Sequence, residues 1–424
     1  MDYQVIKSEF MRNVAKLFSA NVIAGLIGLV FYPILTRLYE PSDFGLLSLF
    51  TAIVGVLVIL STLDLQYAIV LPADKQQSSA IAHISLISTA VVVGLSAVLT
   101  FFAPPIASIF NAPDLVHVWW LIPIMVASCA VWNVANYSLT KANEFTLISV
   151  YFILQGSLIP ILKFLFAYFD ISNDGLLYGS VLGSATALSV VLISVFAKHR
   201  LHYNKTSSEL RRQMFDTYRR FPFFSLPRSI INNLSANIPA LLLTPFFGLA
   251  PIGLFSASIA FGFRPVNMLE TSIYQVFFRQ ISQDYNERKP IMPLLKQFFH
   301  YIGLIIAPLA VIGIVGISLI IVWILGEQWQ EAGMYLRYLL PWLVMTFFVA
   351  PISFLSDVFQ KQPIALGLEI LLIALRVIGM LIGVWVNDFG VAVLGYSIGG
   401  ALAIGIQLVW YISLVKQYDA SLVD

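Results

Sequence analysis

Apolar residues fill this chain in long unbroken runs separated by short polar connections. A helix needs about 20 apolar residues to cross a bilayer. Twelve runs meet that length: Val14–Leu35, Phe44–Leu71, Ile81–Phe102, Val118–Tyr137, Leu147–Phe169, Gly175–Ala197, Phe221–Phe247, Gly253–Phe278, Leu294–Leu325, Met334–Val358, Ile364–Val386 and Gly390–Val415. Strands of a membrane barrel would be about 10 residues long and alternate apolar with polar. Nothing here alternates that way, so a barrel is excluded. The first run is too long for the apolar core of a signal peptide and leads straight into others, so no cleavable leader is expected. The pattern predicts an all-α integral membrane protein of twelve transmembrane helices.

Composition agrees. The 424 residues are 59% hydrophobic and 11% charged, with a mean hydropathy of +0.87. Soluble domains are about 45–50% apolar and about 25% charged. The 24 Lys+Arg nearly cancel the 22 Asp+Glu, leaving +2, so nucleic acid is a poor partner. The single Cys129 rules out an intramolecular disulfide and any multi-cysteine metal site.

Cationic residues set the orientation. With the N-terminus placed in the cytoplasm, 18 of the 24 Lys+Arg fall on the inner side and Arg37 alone falls outside. Lys163, Arg228, Arg264, Arg337 and Arg376 lie within spans. An odd number of spans would scramble this asymmetry, so both termini are expected to be cytoplasmic. The longest soluble connection, Lys198–Arg220, carries seven basic and two acidic residues. It divides the chain into an N-terminal six-helix lobe (1–197), a cytoplasmic basic linker (198–220) and a C-terminal six-helix lobe (221–424). Thr36-x8-Gly45-Leu46-Leu47-Ser48 returns as Thr244-x8-Gly253-Leu254-Phe255-Ser256, an offset of 208 residues. Six spans per half make the halves parallel repeats, related by an axis along the membrane normal. Two lobes around a central cavity follow. The outer loops are too short for a catalytic domain.

Charged groups in hydrocarbon cost roughly 2.5–3.5 kcal/mol each on insertion scales and should face a partner or a wet cavity. In the seventh span, Ser225, Arg228, Asn232 and Ser235 recur at i, i+3, i+7 and i+10, and Asn233 and Asn237 widen the face. Pro222 and Pro227 are expected to open that helix, leaving free N–H groups and a positive dipole end near Arg228, which suits a phosphate. In the eighth span Arg264, Asn267, Thr271 and Tyr274 share a face, with Glu270 off it. Arg264 meets either phosphate or an acid of another span. Glu369 and Arg376 share a face of the eleventh span about 10 Å apart, where a structural role is favoured. Lys163 is placed to snorkel. Asp64, in the second span, either binds a proton or Na⁺ or pairs structurally. There is no Asp-x-Asp, no P-loop and no histidine spacing suited to a metal, so no enzyme and no cofactor are expected.

Four stretches carry a resemblance. They are Tyr32–Gly45 at the first turn, Leu63–Pro72 ending the second span, Phe221-Pro222 through Asn232–Pro239 to Gly253, and Gly326-Glu-Gln-Trp329-x2-Ala332-Gly333. Together they resemble the polysaccharide transporter branch of the multidrug/oligosaccharidyl-lipid/polysaccharide exporter superfamily, the Wzx-type flippases. The resemblance covers nearly the whole chain. It implies flipping of an undecaprenyl-diphosphate-linked oligosaccharide across the bacterial cytoplasmic membrane, by alternating access, for O-antigen, capsule or exopolysaccharide. Its partners would be that lipid and the bilayer, with polymerase and chain-length proteins of the same pathway as further candidates. It places Arg228 and Arg264 in a cationic cavity with Asn21, Asn232 and Asn237 as polar neighbours, and leaves Asp64 and Glu270 for coupling to H⁺ or Na⁺. The first two spans supply no mid-depth cation, so the lining leans toward the second lobe. A cation-coupled drug antiporter and a polysaccharide polymerase are the competing readings. The first would prefer an acidic cavity and the second a large outer loop.

Overall fold

The computed structural model describes residues 3–172, 174–197 and 206–422; the side chains of 3–15, 264–276, 279, 305, 309 and 312 lie outside the described set. Every regular element among the described residues is helical. The principal helices are α1 (Tyr3–Leu38), α2 (Pro41–Thr62), α3 (Lys75–Val98), α4 (Leu121–Lys141), α5 (Phe145–Tyr168), α6 (Gly175–Ala197) and α7 (Ser208–Tyr218). They continue as α8 (Leu226–Phe247), α9 (Leu249–Asn286), α10 (Met292–Leu325), α11 (Gln330–Val349), α12 (Gln362–Val386) and α13 (Phe389–Ala420).

Among the described residues, ten helices are long and apolar enough to cross a membrane. An eleventh span forms if α10 is counted as one, its halves Met292–Pro308 and Gly313–Leu325 meeting at 58°. Pro308 lies inside that helix, and an interior proline removes a hydrogen bond and bends the axis. The helix expected as the eighth span is α9, whose apolar stretch among the described residues is Leu249–Phe263. Ten or eleven of the twelve expected spans therefore meet the requirement. Large side chains face outward freely, as a lipid solvent allows. Phe101, Tyr168, Trp323 and Trp385 are exposed at helix ends expected to lie on the outer side, where aromatic rings favour the bilayer interface.

The chain forms two compact units, Met1–Ala250 and Pro251–Asp424. In the first, α1 packs on α5, α5 on α6, and α2 on both α3 and α4. One core joins Leu49, Phe50 and Val54 of α2 to Val118, Ile122 and Val126. A second gathers Trp132, Tyr151, Ala187 and Val191. The α7 helix lays Met214 against Leu65, Ile69 and Ile81, so the apolar face of this linker helix is used on protein. Linker residues 198–205 lie outside the described residues. The α8 helix packs on α2 and so belongs to the first unit. The unit boundary thus follows the helix that the basic linker precedes.

The repeated turns occupy equivalent places. Thr36 and Thr244 are both fully buried near the ends of α1 and α8 and return their hydroxyls to Pro33 O and Ala240 O. Gly45, in the first copy, lies so close to the Leu249 backbone that no side chain would fit.

In the second unit α12 and α13 pack most intimately. Gly379 and Gly395 face each other's backbones, Gly383 lies on Ala392 and Gly399 on the Leu375 carbonyl, with no space for a Cβ at any of them. Small residues allow this approach between helices in lipid, where hydrophobic burial supplies no driving force.

Candidate functional site

The second span is not one helix. It is expected to run unbroken from Phe44 to Leu71, but α2 stops at Thr62, Leu63 and Asp64 take left-handed conformations (φ 54° and 56°), and a tight 3-10 segment, Leu65–Val70, follows. A left-handed residue with a Cβ costs roughly 1–2 kcal/mol, although Asp tolerates that region better than most. The break turns Asp64 inward. Its side chain is 1% exposed.

Hydroxyls on the facing helix meet it. Ser225 Oγ donates to Asp64 Oδ2 at 2.9 Å and Ser229 Oγ to the same oxygen at 2.5 Å. Gln66 Nε2 approaches Asp64 Oδ1 at 3.4 Å. Thus the structural pairing open to Asp64 is with neutral hydroxyls, and no basic side chain bonds to it among the described residues. Gln66 is 4% exposed, and its Oε1 has no hydrogen-bond partner. These groups border a pocket of about 320 Å³ lined by Thr62, Asn133, Asn232 and Asn233 together with Asp64 and Gln66.

A π-helical turn, Phe221–Ser225, leads into α8; the Leu226 N–H bonds to Phe221 O. This corrects two expectations. The amides expected to be free beside Arg228 are consumed inside the wide turn, because the helix begins upstream of it. The polar stripe is also divided. Ser225 and Ser229 turn to Asp64, and Asn233 lies against Gly55 of α2, where an added Cβ would come within 2.8 Å of its Nδ2. Asn237 Nδ2 donates to Asn233 O at 3.0 Å, within its own helix. Arg228 and Asn232 remain exposed, and neither makes a hydrogen bond or ion pair among the described residues. Helical spacing groups Ser225 with Arg228. It misses Ser229, which one turn from Ser225 completes the grip on Asp64, and it misses Gln66 and Asn133.

Other expected residues fall elsewhere. Asn21 is exposed and donates to Leu17 O in its own helix at 3.1 Å. Arg264 and Glu270 lie on the backbone of α9, but their side chains are outside the described residues. Lys163 offers its backbone carbonyl to the Tyr39 hydroxyl at 2.7 Å. Glu369 is exposed and Arg376 buried, so the two sit in different surroundings. Arg376 is 6% exposed, its guanidinium 4.3 Å from the Trp342 ring and 4.6 Å from Tyr396. Its Nε has no acceptor. Aromatic faces, rather than an acid, carry that charge.

The apolar helices and the polar break in the second span are those of a polytopic membrane protein. Residues 34–333, well over half of the chain, match the family model described as polysaccharide biosynthesis protein, and the chain belongs to that family. The succinoglycan biosynthesis transport protein ExoT of Rhizobium meliloti (strain 1021) is 22% identical over 268 residues, 62% of this chain and 52% of that protein; the chain spans about half the length of this relative. The fold is similar to the lipid II flippase MurJ in an inward closed conformation, with a TM-score of 0.72 at 12% identity over 97% of this chain and 91% of that one. It is also similar to an inward-facing multidrug resistance MATE family transporter of the MOP superfamily, with a TM-score of 0.69 at 17% identity over 94% and 96%.

Proposed function

We propose that the chain flips an undecaprenyl-diphosphate-linked oligosaccharide across the bacterial cytoplasmic membrane during cell-surface polysaccharide synthesis. It would do so by alternating access between lobes 1–197 and 221–424. The observation that carries this reading is Arg228, an exposed cation with no described partner on a helix apolar enough to span a membrane. An uncompensated guanidinium is costly at that depth, and a diphosphate is the anion its planar fork matches. Asn232, exposed one turn further along, adds a neutral donor for phosphate or sugar oxygens. The lipid tail stays in the bilayer while the head group crosses. No bond is made or broken, so the site needs no nucleophile or general base. Arg264, expected deeper along the next helix, would take over the diphosphate as the lobes exchange access. The family and the fold likeness to a lipid flippase support this reading.

The test is deletion of the gene with profiling of lipid-linked oligosaccharide on each membrane face. Accumulation on the cytoplasmic face, cleared by the intact gene, is the expected result; an unchanged distribution would overturn the assignment. Orientation has its own check. In a Cys129→Ser background, Asp170→Cys should label from outside and Ser208→Cys only from inside. Labelling of both from one side would break the span map.

A further inference from the structure

The pocket beside the helix break is polar, yet no Lys, Arg or His lines it among the described residues. Its volume is about 320 Å³, at the lower end of the roughly 300–1,000 Å³ of small-molecule pockets. That room suits one ring-sized guest. Gln66 Oε1 is buried there without a donor, and a buried acceptor left unmade is costly and calls for an explanation. Half-buried Asn133 and exposed Asn232, both in the lining, make no hydrogen bond among the described residues. Each amide therefore has donors and an acceptor to offer. Tyr67 also lines the pocket and is 41% exposed. Tyr137 meets its ring edge-on, with centroids 5.1 Å apart at 75°, which holds the ring in place and leaves it open.

We infer that this pocket binds one uncharged pyranose ring of the oligosaccharide, the ring joined directly to the diphosphate. The placement rests on the reading of Arg228 as the diphosphate ligand. Asn232 lies one turn beyond Arg228, about 6 Å along the same helix, so a sugar bonded to a phosphate held there reaches the pocket. A sugar hydroxyl both donates and accepts. It donates to Gln66 Oε1 and accepts from the amide groups of Asn133 and Asn232. An ionised phosphate has no proton to give and leaves that oxygen unmet. Water would satisfy the oxygen too, but water leaves Tyr67 unused. A pyranose has apolar C–H edges that seat on the electron-rich face of an aromatic ring. An acidic sugar is excluded by charge, since its carboxylate would enter a site with no cation beside it. The argument holds whether or not Asp64 is protonated. Its Oδ2 accepts from Ser225 and Ser229, which ties the helix break to the α8 wall of the pocket.

The first test needs no lipid substrate. It uses the purified full-length Cys129→Ser protein in a detergent without a sugar head group, with Ile59→Cys placing a thiol in the pocket wall. Neutral methyl pyranosides, as a panel of hexoses, deoxyhexoses and N-acetylhexosamines, should slow alkylation of that thiol severalfold; methyl uronates should not. Gln66→Leu should weaken protection about tenfold, equivalent to roughly 1.4 kcal/mol, and Tyr67→Ala should abolish it. Gln66→Leu should not lower the melting temperature of the free protein, because its buried oxygen has no partner to lose. The second test compares short-chain prenyl diphosphates with and without one neutral sugar. The sugar should tighten binding about tenfold in the wild type and add nothing in Gln66→Leu, while Arg228→Ala weakens both ligands alike. No protection by any neutral pyranoside, or equal protection by uronates, overturns the site. A sugar that adds nothing to the diphosphate overturns the link to Arg228. Protection that persists in a protein with no affinity for either prenyl diphosphate would sink the flippase reading and leave a sugar site standing.

Discussion

Arg228→Ala should cut flipping by a factor of about 10 to 150 while membrane abundance stays normal. The size follows from losing one charge-assisted contact, worth roughly 1.5–3 kcal/mol. Normal abundance is expected because the side chain is exposed and makes no contact among the described residues that the fold needs; surface changes away from such contacts stay within about 0.5 kcal/mol. Arg228→Lys keeps the charge and loses the fork that grips two phosphate oxygens, so it should fall between wild type and alanine. The readout is translocation of fluorescent lipid-diphosphate oligosaccharide in proteoliposomes, with protein quantified in the same vesicles. Full activity in a well-inserted Arg228→Ala protein would remove the cation from the mechanism. Lowered abundance of Arg228→Ala with normal specific activity would make Arg228 a structural residue instead.

The spans were legible because lipid imposes one rule on every one of them, a run of about 20 apolar residues. The break at Leu63–Asp64 was hidden by the same rule. Apolar residues Leu65, Ala68, Ile69, Val70 and Leu71 continue past it, so the hydropathy of the segment barely changes while the backbone leaves the helix. The polar face of α8 was legible as a face, and Arg228 and Asn232 are exposed on it as the spacing requires. Its division was not. Ser225 and Ser229, one turn apart, both reach Asp64, while Arg228 and Asn232, also one turn apart, form the exposed edge. Asp64 stood out as an acid in a span, but its partners lie 161 and 165 residues away, and no local pattern reports them. The same holds for Arg376. Its seven-residue spacing to Glu369 places both on one helix face about 10 Å apart, whereas its contacts come from Trp342 and Tyr396 on other helices.

The setting of Arg376 makes a prediction that separates structure from transport. Tyr396 is 3% exposed and touches Phe255, Trp342 and the guanidinium. Tyr396→Ala should destabilise the protein by about 3–5 kcal/mol, the cost of emptying a buried aromatic site. Part of that loss is specific to the charge, since a desolvated cation–π contact is worth about 2 kcal/mol, and the remaining guanidinium would be left with Trp342 alone. Arg376→Met removes the charge and still packs against the rings through its thioether. Replacing a buried charge by an apolar chain of similar size is often neutral, so Arg376→Met alone should shift stability by no more than about 1 kcal/mol. The double variant should then be more stable than the sum of the single changes predicts by at least about 1 kcal/mol, a coupling that only neighbours show. The measurement is the unfolding free energy of each variant in mixed micelles, paired with flipping in proteoliposomes. Additive losses would mean that the rings do not hold the charge. A stable Arg376→Met protein that no longer flips would make Arg376 part of the transport path, against the structural role that its aromatic enclosure supports.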